Sequence, residues 1–133
     1  MNIVIPTYKR LDRQLTLNAL APELRKDVIL IVREEEFGDH LLRYGDECRI
    51  LGLPGSGART TRPVDDLLKT RQYIWESFNG ARFVMCDDDI LAFERPGQGR
   101  IRDAEQQRQM LRDLEAALDA GAGVSSPRTH WTP

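Results

Sequence analysis

Five consecutive apolar residues, Val28-Ile29-Leu30-Ile31-Val32, constrain the fold more than any other feature of the chain. A continuous apolar run of this length, rich in β-branched residues, is typical of a strand that is buried on both faces. It is far shorter than the roughly 20 residues that a membrane-spanning helix needs. Strands buried on both faces occur in parallel sheets covered by helices, so the run predicts an α/β fold.

Apolar strands alternate with helical patterns along the chain. Residues 2–6 form a second strand of the buried type, which Pro6 ends because proline lacks the amide hydrogen that the ladder needs. Between the two strands, apolar residues recur at helical spacing up to Pro22, namely Leu11, Leu15, Ala19 and Leu20. This β-α-β order predicts parallel strands. We expect residues 1–133 to form one domain, a three-layer, Rossmann-like α/β sandwich with a mainly parallel sheet.

The other predicted elements follow in chain order: a charged turn at 33–36 and a weak helix at 40–44, a strand at 49–53, a loop at 52–63, a helix at 64–78, a strand at 82–86, a basic loop at 94–102, a helix from Asp103 to Gly121, and the start of a fifth strand at 124–126. Asp103 and Gln106 have the spacing of a capping box. Strands alternating with helices agree with the α/β prediction.

The predicted helix at 64–78 carries a charge on its apolar face. That face consists of Val64, Leu67, Leu68, Arg71, Trp75 and Phe78. An unpaired guanidinium costs several kcal/mol when it is buried, so Arg71 is expected to reach solvent, pair with an acid or meet an anionic ligand such as a phosphate.

Composition limits the classes of partner. The chain has 19 basic and 21 acidic residues and a net charge of −2, which excludes a general attraction to nucleic acid or anionic lipid. Any anion site must therefore be local. The two cysteines, Cys48 and Cys86, are too few for a disulfide framework and too far apart for a metal pair, so we expect reduced, packed thiols and a cytoplasmic protein without a membrane span.

Polar residues follow the predicted strands at the edge where parallel sheets bind ligands. They are Pro6-Thr7-Tyr8-Lys9-Arg10, Arg33-Glu34 and Asp87-Asp88-Asp89. Three adjacent carboxylates repel one another, and a hard divalent cation removes that repulsion. On an extended segment Asp87 and Asp89 point the same way and Asp88 points oppositely, so the outer pair is predicted to share Mg²⁺ or Mn²⁺ with phosphate oxygens.

Structural explanations remain open for these residues. The Asp triplet is also compatible with a turn whose side chains bind local backbone amides. Lys9 and Arg10 suit either phosphate binding or simple solvation, and the basic loop at 94–102, with Arg95, Arg100 and Arg102, suits either a lid over phosphates or a solvated surface.

Several other chemistries lack their motifs. Gly55-Ser56-Gly57 is not followed by a Walker-type Lys-Ser/Thr, and the first strand is not followed by a dinucleotide fingerprint. His40 and His130 lack metal-ligand spacing, and no nucleophile elbow is present. An Asp-x-Asp phosphatase would carry its motif after the first strand. The sequence therefore does not predict a hydrolytic triad, a Walker-type or dinucleotide phosphate site, or an Asp-x-Asp phosphatase.

The order of these motifs resembles family-2-like glycosyltransferases of the GT-A fold. Residues 3–10, Ile-Val-Ile-Pro-Thr-Tyr-Lys-Arg, are similar to the family's opening strand, and residues 84–89, Val-Met-Cys-Asp-Asp-Asp, are similar to its DXD strand. Residues 70–74 are similar to its helix that bears Arg or Lys beneath the nucleotide. The resemblance covers residues 2 to about 91.

The resemblance implies a metal-dependent transferase that takes a nucleoside-diphosphate sugar as donor. It implies nucleotide contacts by residues at matching positions, namely Pro6, Thr7, Tyr8, Arg10, Glu34, Arg71, Asp87 and Asp88. It implies that Asp87 and Asp89 hold Mn²⁺ or Mg²⁺, with transfer to a hydroxyl and inversion at the sugar. Small relatives of this type occur in bacterial viruses, where modified DNA bases are one acceptor class; glycans, proteins and lipid-linked acceptors are equally compatible.

Two departures from the family pattern qualify what it implies. Relatives often carry an Asp after the second strand, whereas this chain has Arg33-Glu34-Glu35-Glu36, so the identity of the base is open. Few residues follow Asp89, so no catalytic base is assigned. We expect the chain to be a minimal domain, a fragment, or one piece of a split enzyme whose acceptor half a partner chain or a second copy supplies. Two alternatives remain: a sugar nucleotidyltransferase, and a non-catalytic module that binds nucleotide-sugars or serves in assembly.

Overall fold

The structure, a computed structural model, describes residues 1–55, 63–121 and 123, and in the helix that begins at Pro63 it describes side chains from Asp66 onward. Its strands are β1 Asn2–Pro6, β2 Val28–Arg33, β3 Arg49–Leu53, β4 Phe83–Met85, β5 Phe93–Arg95 and β6 Gly99–Ile101. Its α-helices are α1 Leu15–Ala19, α2 Glu34–Tyr44, α3 Pro63–Ser77 and α4 Ala104–Asp119, and a 3-10 helix covers Pro22–Asp27.

Four strands form a parallel sheet in the order β3-β2-β1-β4. In the register, Ile3 lies opposite Val28 on one side and Val84 on the other. The predicted run of five apolar residues forms most of β2, which lies between β1 and β3 and is buried from Val28 to Val32. The prediction of an α/β, Rossmann-like fold with a parallel sheet is confirmed.

The sheet has an apolar core on each face. Alternate residues of β1 divide between the two, because successive side chains on a strand point to opposite faces. Ile3 and Ile5 belong to the larger core, which α1, α2 and the partly buried Leu111 of α4 help to cover. Val4 belongs to the smaller core, which Ile74 of α3 covers. Helices therefore lie on both sides of the sheet, which makes three layers.

The strand order reverses direction at β1. From β1 the chain proceeds outward to β2 and β3, and then α3 crosses to the other face so that β4 adds on the opposite side of β1. The loops after β1 and β4 leave neighbouring strands, and both lead to residues of the larger core, Leu17 of α1 and Phe93 of β5. In open α/β sheets such a switch point forms the crevice where ligands bind.

Gln107 joins α4 to the rest of the domain. Its side chain is completely buried, accepts a hydrogen bond from the backbone N–H of Ala21 at 2.8 Å, and donates to the carbonyls of Ala19 at 2.9 Å and Ile101 at 3.1 Å. At the start of the helix Asp103 accepts from the backbone N–H of Gln106, as the predicted cap requires.

The first two helices differ from the predictions. The pattern over 11–20 gives a helix only at Leu15–Ala19, because the segment before it turns back: Gln14 donates its side-chain amide to the carbonyl of Arg10. Pro22 starts a 3-10 helix rather than leading directly to the strand. The charged segment predicted as a turn forms the start of α2, where three glutamates favour the positive end of the helix dipole.

The prediction of a basic loop at 94–102 was wrong. These residues contain the antiparallel hairpin β5–β6, in which Phe93 lies opposite Ile101, and Gly97 and Gly99 have positive φ angles of 78° and 69°. The basic residues of this segment are also largely paired. Arg95 forms an ion pair with Asp113 of α4, and Nε of Arg100 lies 3.7 Å from Oε1 of Glu94.

The predicted buried face of α3 was also wrong. Leu67, Leu68 and Trp75 are exposed by 48%, 61% and 59%, while Ile74 is fully buried and Phe78 is half-buried. The helix thus packs through a different stripe, and Arg71 lies on its exposed side. The spacing of apolar residues did not identify the buried side because α3 carries apolar residues on both.

Three predictions fall wholly or partly outside the described residues: the side chain of Val64, the loop at 52–63 that contains Gly57, and the fifth strand at 124–126. Among the described helices, none is both long and apolar enough to cross a membrane. Cys48 and Cys86 are both free and buried, as predicted.

Candidate functional site

The loops after β1 and β4 meet at the carboxyl edge of the sheet. The amide of Cys86, just after β4, donates to the carbonyl of Val4 at 3.0 Å, and the amide of Thr7, just after β1, donates to the carbonyl of Ile31 at 3.0 Å. These bonds extend the sheet past the strand ends and fix where the next residues project. The Asp triplet and Thr7-Tyr8-Lys9-Arg10 therefore start from adjacent points.

Asp88 is the centre of a hydrogen-bond network between the two loops. One of its carboxylate oxygens accepts from the Thr7 hydroxyl at 2.8 Å and lies 3.4 Å from Nε of Arg10. Gln14 donates its side-chain amide to the Thr7 hydroxyl oxygen at 3.0 Å. Gln14 is buried and its Oε1 has no partner in the described part of the chain, so the network retains one unused acceptor.

The side chain of Thr16 hydrogen-bonds the backbone on both sides of the turn that contains Asp88 and Asp89. Its hydroxyl donates to the carbonyl of Asp87 at 2.5 Å and accepts from the amide of Ile90 at 2.9 Å. The hydroxyl thereby spans the whole turn that contains Asp88 and Asp89. Because Thr16 is completely buried, the turn is anchored to α1 rather than free to move with solvent.

The Asp87 side chain points outward and pairs with α3. Its Oδ1 accepts from Nη2 of Arg71 at 2.8 Å, and the two side chains are 65% and 45% exposed. Arg71 is therefore a surface cation beside the triplet. Of the explanations open for this residue, pairing with an acid is the one found here.

The expected extended strand through residue 89 was wrong, because β4 ends at Met85 and Asp88 and Asp89 lie in a turn. Asp87 and Asp89 are nevertheless both exposed, whereas Asp88 is half-buried and binds Thr7. The exposed Asp89 side chain makes no hydrogen bond or ion pair with any residue that the structure describes. A site shared by Asp87 and Asp89 stays a prediction that now rests on their proximity in the turn.

Tyr8 forms the neighbouring part of the edge. Its ring is 43% exposed, and the Arg33 guanidinium at the end of β2 lies 3.8 Å from the ring centroid. Arg33 also pairs with Asp66 of α3 at 2.7 Å. Nζ of Lys9 also lies 5.1 Å from the ring centroid, so two cations contact the Tyr8 ring and help to hold it in place.

Lys9 has an unusual backbone at the same loop. Its φ angle is 54°, in the left-handed region that side-chain-bearing residues seldom adopt, and its amide donates to Oε1 of Glu36 on α2 at 2.8 Å. The glutamate therefore stabilises the turn that presents Tyr8. The backbone conformation of Lys9 thus helps to shape this loop, which the sequence did not indicate.

The other two predicted nucleotide contacts lie at the same edge without touching the triplet. Pro6 is the last residue of β1, and Glu34 is the first of α2. Glu34 accepts from the amide of Gly55 at 3.2 Å, which ties the end of β3 to the start of α2. The structure thus joins Thr7, Arg10 and Asp88 in one network and Arg71 and Asp87 in a second pair beside it, with Tyr8 and Glu34 further along.

Sequence analysis missed Gln14 and Thr16 as site residues, and it placed Arg33 at this edge without giving it a role. Gln14 and Thr16 flank Leu15 in a segment whose apolar spacing predicts burial, and both are buried. A polar side chain placed next to the apolar positions of a short helix is the signal that indicates such a role, because buried polar groups need partners.

The thiol next to the triplet is inert. Burial, and secondarily the charge of Asp87, raises the pKa of Cys86 from 9.0 to about 11. The nucleophilic thiolate is thereby scarce at neutral pH. Cys86 fills space beneath the loop, and it is not a candidate nucleophile.

The carboxylates at this edge suit a cation whose remaining ligands are phosphate oxygens or water. Among the described residues, no group of three or more His, Cys, Asp or Glu side chains is arranged to hold a metal ion. Asp87 and Asp89 offer two hard carboxylates, and Mg²⁺ typically binds through one or two carboxylates together with phosphate oxygens and water. The guanidinium on Asp87 shows that this carboxylate already takes a cationic partner. The residues therefore fit Mn²⁺ or Mg²⁺ bound jointly with a diphosphate.

No known protein family, curated protein or solved structure matches the chain significantly.

Proposed function

We propose that the chain binds a nucleoside-diphosphate sugar together with Mn²⁺ or Mg²⁺ at the junction of β1 and β4, and that it takes part in transfer of the sugar to an acceptor hydroxyl. The observation that supports this most is the meeting of three distant segments, at residues 7–10, 71 and 87–89, at the switch point of the sheet. The motif resemblance had named the same three segments.

Each part of the edge suits a different part of such a donor. The exposed Tyr8 ring, held by Arg33, offers a surface for a nucleotide base, since bases stack on aromatic side chains. Glu34 offers a carboxylate to an N–H of the base or a hydroxyl of the ribose. Arg10 and Arg71 offer guanidinium groups, which bind phosphate oxygens in a fixed planar geometry.

The Asp triplet orients the leaving group. Asp88, locked by Thr7 and Arg10, fixes the loop, while Asp87 and Asp89 project from it and would hold the cation. The cation's chemistry is to stabilise the negative charge that develops on the diphosphate as the glycosidic bond breaks. Arg71 adds positive charge on the same side.

In the proposed transfer the acceptor oxygen forms a bond to the anomeric carbon. The bond from that carbon to the phosphate oxygen breaks, and the diphosphate leaves with the electron pair. The acceptor proton passes to a base that is not assigned among the residues discussed, and a second chain or a second copy is proposed to contribute the acceptor side. Inversion at the anomeric carbon is the stereochemistry proposed.

The proposal includes a cytoplasmic location. It is supported by the two free, buried cysteines, which a reducing compartment keeps as thiols.

The test is calorimetry with UDP, GDP and their sugar conjugates, with and without Mn²⁺. Asp89→Ala is the informative variant because Asp89 has no partner in the described part of the chain, so its loss removes a carboxylate without breaking the fold. Asp46→Ala, at an exposed turn far along the chain, is the matched control.

We expect one nucleotide class to bind only with Mn²⁺, to lose binding in Asp89→Ala and to retain it in Asp46→Ala. Failure of every nucleotide to bind the unaltered protein would refute the proposal and leave the triplet as a structural turn. Release of nucleoside diphosphate in the presence of acceptors distinguishes transfer from binding without catalysis.

A further inference from the structure

The two carboxylates that pair with arginine at the triplet differ in exposure. Arg10 pairs with Asp88, whose side chain is only 16% exposed and also accepts from Thr7. Arg71 pairs with Asp87, and both side chains of that pair are half exposed, at 45% and 65%. Exposed pairs contribute little stability, about 1 kcal/mol or less. The Asp88 carboxylate is therefore built into the loop through Thr7, whereas the exposed Arg71–Asp87 pair is readily separated.

The charges at the edge leave room for a cation and an anion together. With all groups ionised, three carboxylates and two guanidinium groups carry one net negative charge. A divalent cation alone would make this region positive, and it would meet Arg71 already on Asp87. A diphosphate alone would add its charge to three carboxylates. A divalent cation together with a nucleoside-diphosphate sugar, whose diphosphate carries two negative charges, returns the edge to its original charge.

We propose that Arg71 is an exchangeable counter-ion that couples the two ligands: it leaves Asp87 when a divalent cation binds there and then binds a phosphate oxygen of the nucleoside diphosphate. The inference rests on the proposed function. Because Arg71 is exposed on the outer side of α3, the exchange requires rotation of one long side chain and no backbone movement. Each ligand then raises the affinity for the other by the same factor, as thermodynamic linkage requires.

The distinctive consequence is an opposite effect of one substitution on two affinities. Arg71→Ala removes the competitor from Asp87, so binding of Mn²⁺ alone should strengthen by about two- to fivefold, the range that an exposed ion pair permits. The same change removes a charged donor to phosphate, so binding of the nucleoside diphosphate at saturating Mn²⁺ should weaken by about tenfold or more. A residue that only supports the fold would change both affinities in the same direction. A fixed cation that does not exchange would also give opposite shifts, but it would leave unchanged the factor by which bound Mn²⁺ raises the affinity for the nucleoside diphosphate. Exchange predicts that this factor falls in Arg71→Ala, and an unchanged factor would overturn it.

The chain contains a closely matched control. Arg82, at the other end of β4, pairs with Asp119, and the two side chains are 46% and 66% exposed. Removal of Arg82 changes the net charge by the same amount as removal of Arg71. Mn²⁺ binding is measured by the electron paramagnetic resonance signal of the free ion at low salt. Binding of UDP or GDP, whichever the unaltered protein prefers, is measured by calorimetry at saturating Mn²⁺. The variants are Arg71→Ala, Arg71→Lys and Arg82→Ala.

We expect opposite shifts in Arg71→Ala, smaller shifts of the same signs in Arg71→Lys, which retains the charge, and no shift beyond about twofold in Arg82→Ala. Weakening of both affinities in Arg71→Ala, or no change in either, would overturn the exchange while the proposed function stands. Absence of nucleotide binding by the unaltered protein would overturn both.

Discussion

Removal of the Asp88 carboxylate should destabilise the domain much more than removal of its neighbour Asp89. Asp88 accepts from the Thr7 hydroxyl at 2.8 Å in a place where Thr7 is 6% exposed, so in Asp88→Ala that hydroxyl loses its acceptor away from water. A hydrogen bond to a charged group contributes roughly 1.5–3 kcal/mol. The Arg10 contact adds little, since its guanidinium side chain is 36% exposed.

The expected loss is therefore about 2–3 kcal/mol for Asp88→Ala and about 1 kcal/mol for Asp88→Asn, whose amide oxygen still accepts from Thr7. Asp89→Ala should change stability by about 0.5 kcal/mol or less, because its exposed side chain has no partner in the described part of the chain. The comparison separates the network from the general effect of removing one charge from a crowded triplet.

The assay is urea unfolding followed by far-ultraviolet circular dichroism. With a typical slope of about 1–3 kcal/mol per molar urea, the Asp88→Ala midpoint should fall by about 1 M. In a double-mutant cycle with Thr7→Val, the combined cost should be smaller than the sum by about 1 kcal/mol, because either change alone already breaks the shared bond. Equal midpoints for Asp88→Ala and Asp89→Ala, or additive costs in the cycle, would refute this account of the loop.

Two further predictions concern the core. Gln107→Leu should cost about 3 kcal/mol in urea unfolding, because it leaves three backbone groups, two of them in buried hydrogen bonds, without partners. Gln106→Leu on the exposed side should cost little, and similar midpoints would contradict the role of Gln107. Burial raises the pKa of Cys86 from 9.0 to about 11, so the folded state favours the neutral thiol. The stabilisation of the folded state by this thiol is complete below pH 9 and is lost as pH rises through 11. The free energy of unfolding should therefore fall less steeply between pH 9 and 11 in Cys86→Ala than in the unaltered protein, and identical slopes would contradict it.

Much of the fold was predictable because it depends on local pattern. The apolar run at Val28–Val32, the proline after β1 and the helical spacing of α4 each express one physical requirement within a few residues. Errors arose where a contact distant in sequence decided the outcome. The side chain of Gln14 shortens α1. Packing of Phe93 on the larger core, opposite the buried Ile101, turns a glycine-containing basic loop into a hairpin.

The candidate site was predictable as a set of segments but not as a network. Polar residues after apolar strands indicated the edge, and the motif order indicated its partners. Alternation of side chains predicted that Asp88 points away from Asp87. It did not reveal that Asp88 is the inward carboxylate, because that depends on where β4 ends and how Thr16 holds the turn. The roles of Gln14 and Arg33 required the same three-dimensional information.

The sequence by itself determined the alternation of buried strands and helices, the parallel sheet and the position of the acidic turn after a strand, because each follows from the periodicity of apolar residues and from proline or glycine at a boundary. The tertiary structure alone decided that β4 joins the free side of β1, and hence that residues 7–10, 71 and 87–89 meet. Strand order depends on which face α3 covers, and that choice arises from packing between residues far apart in the chain.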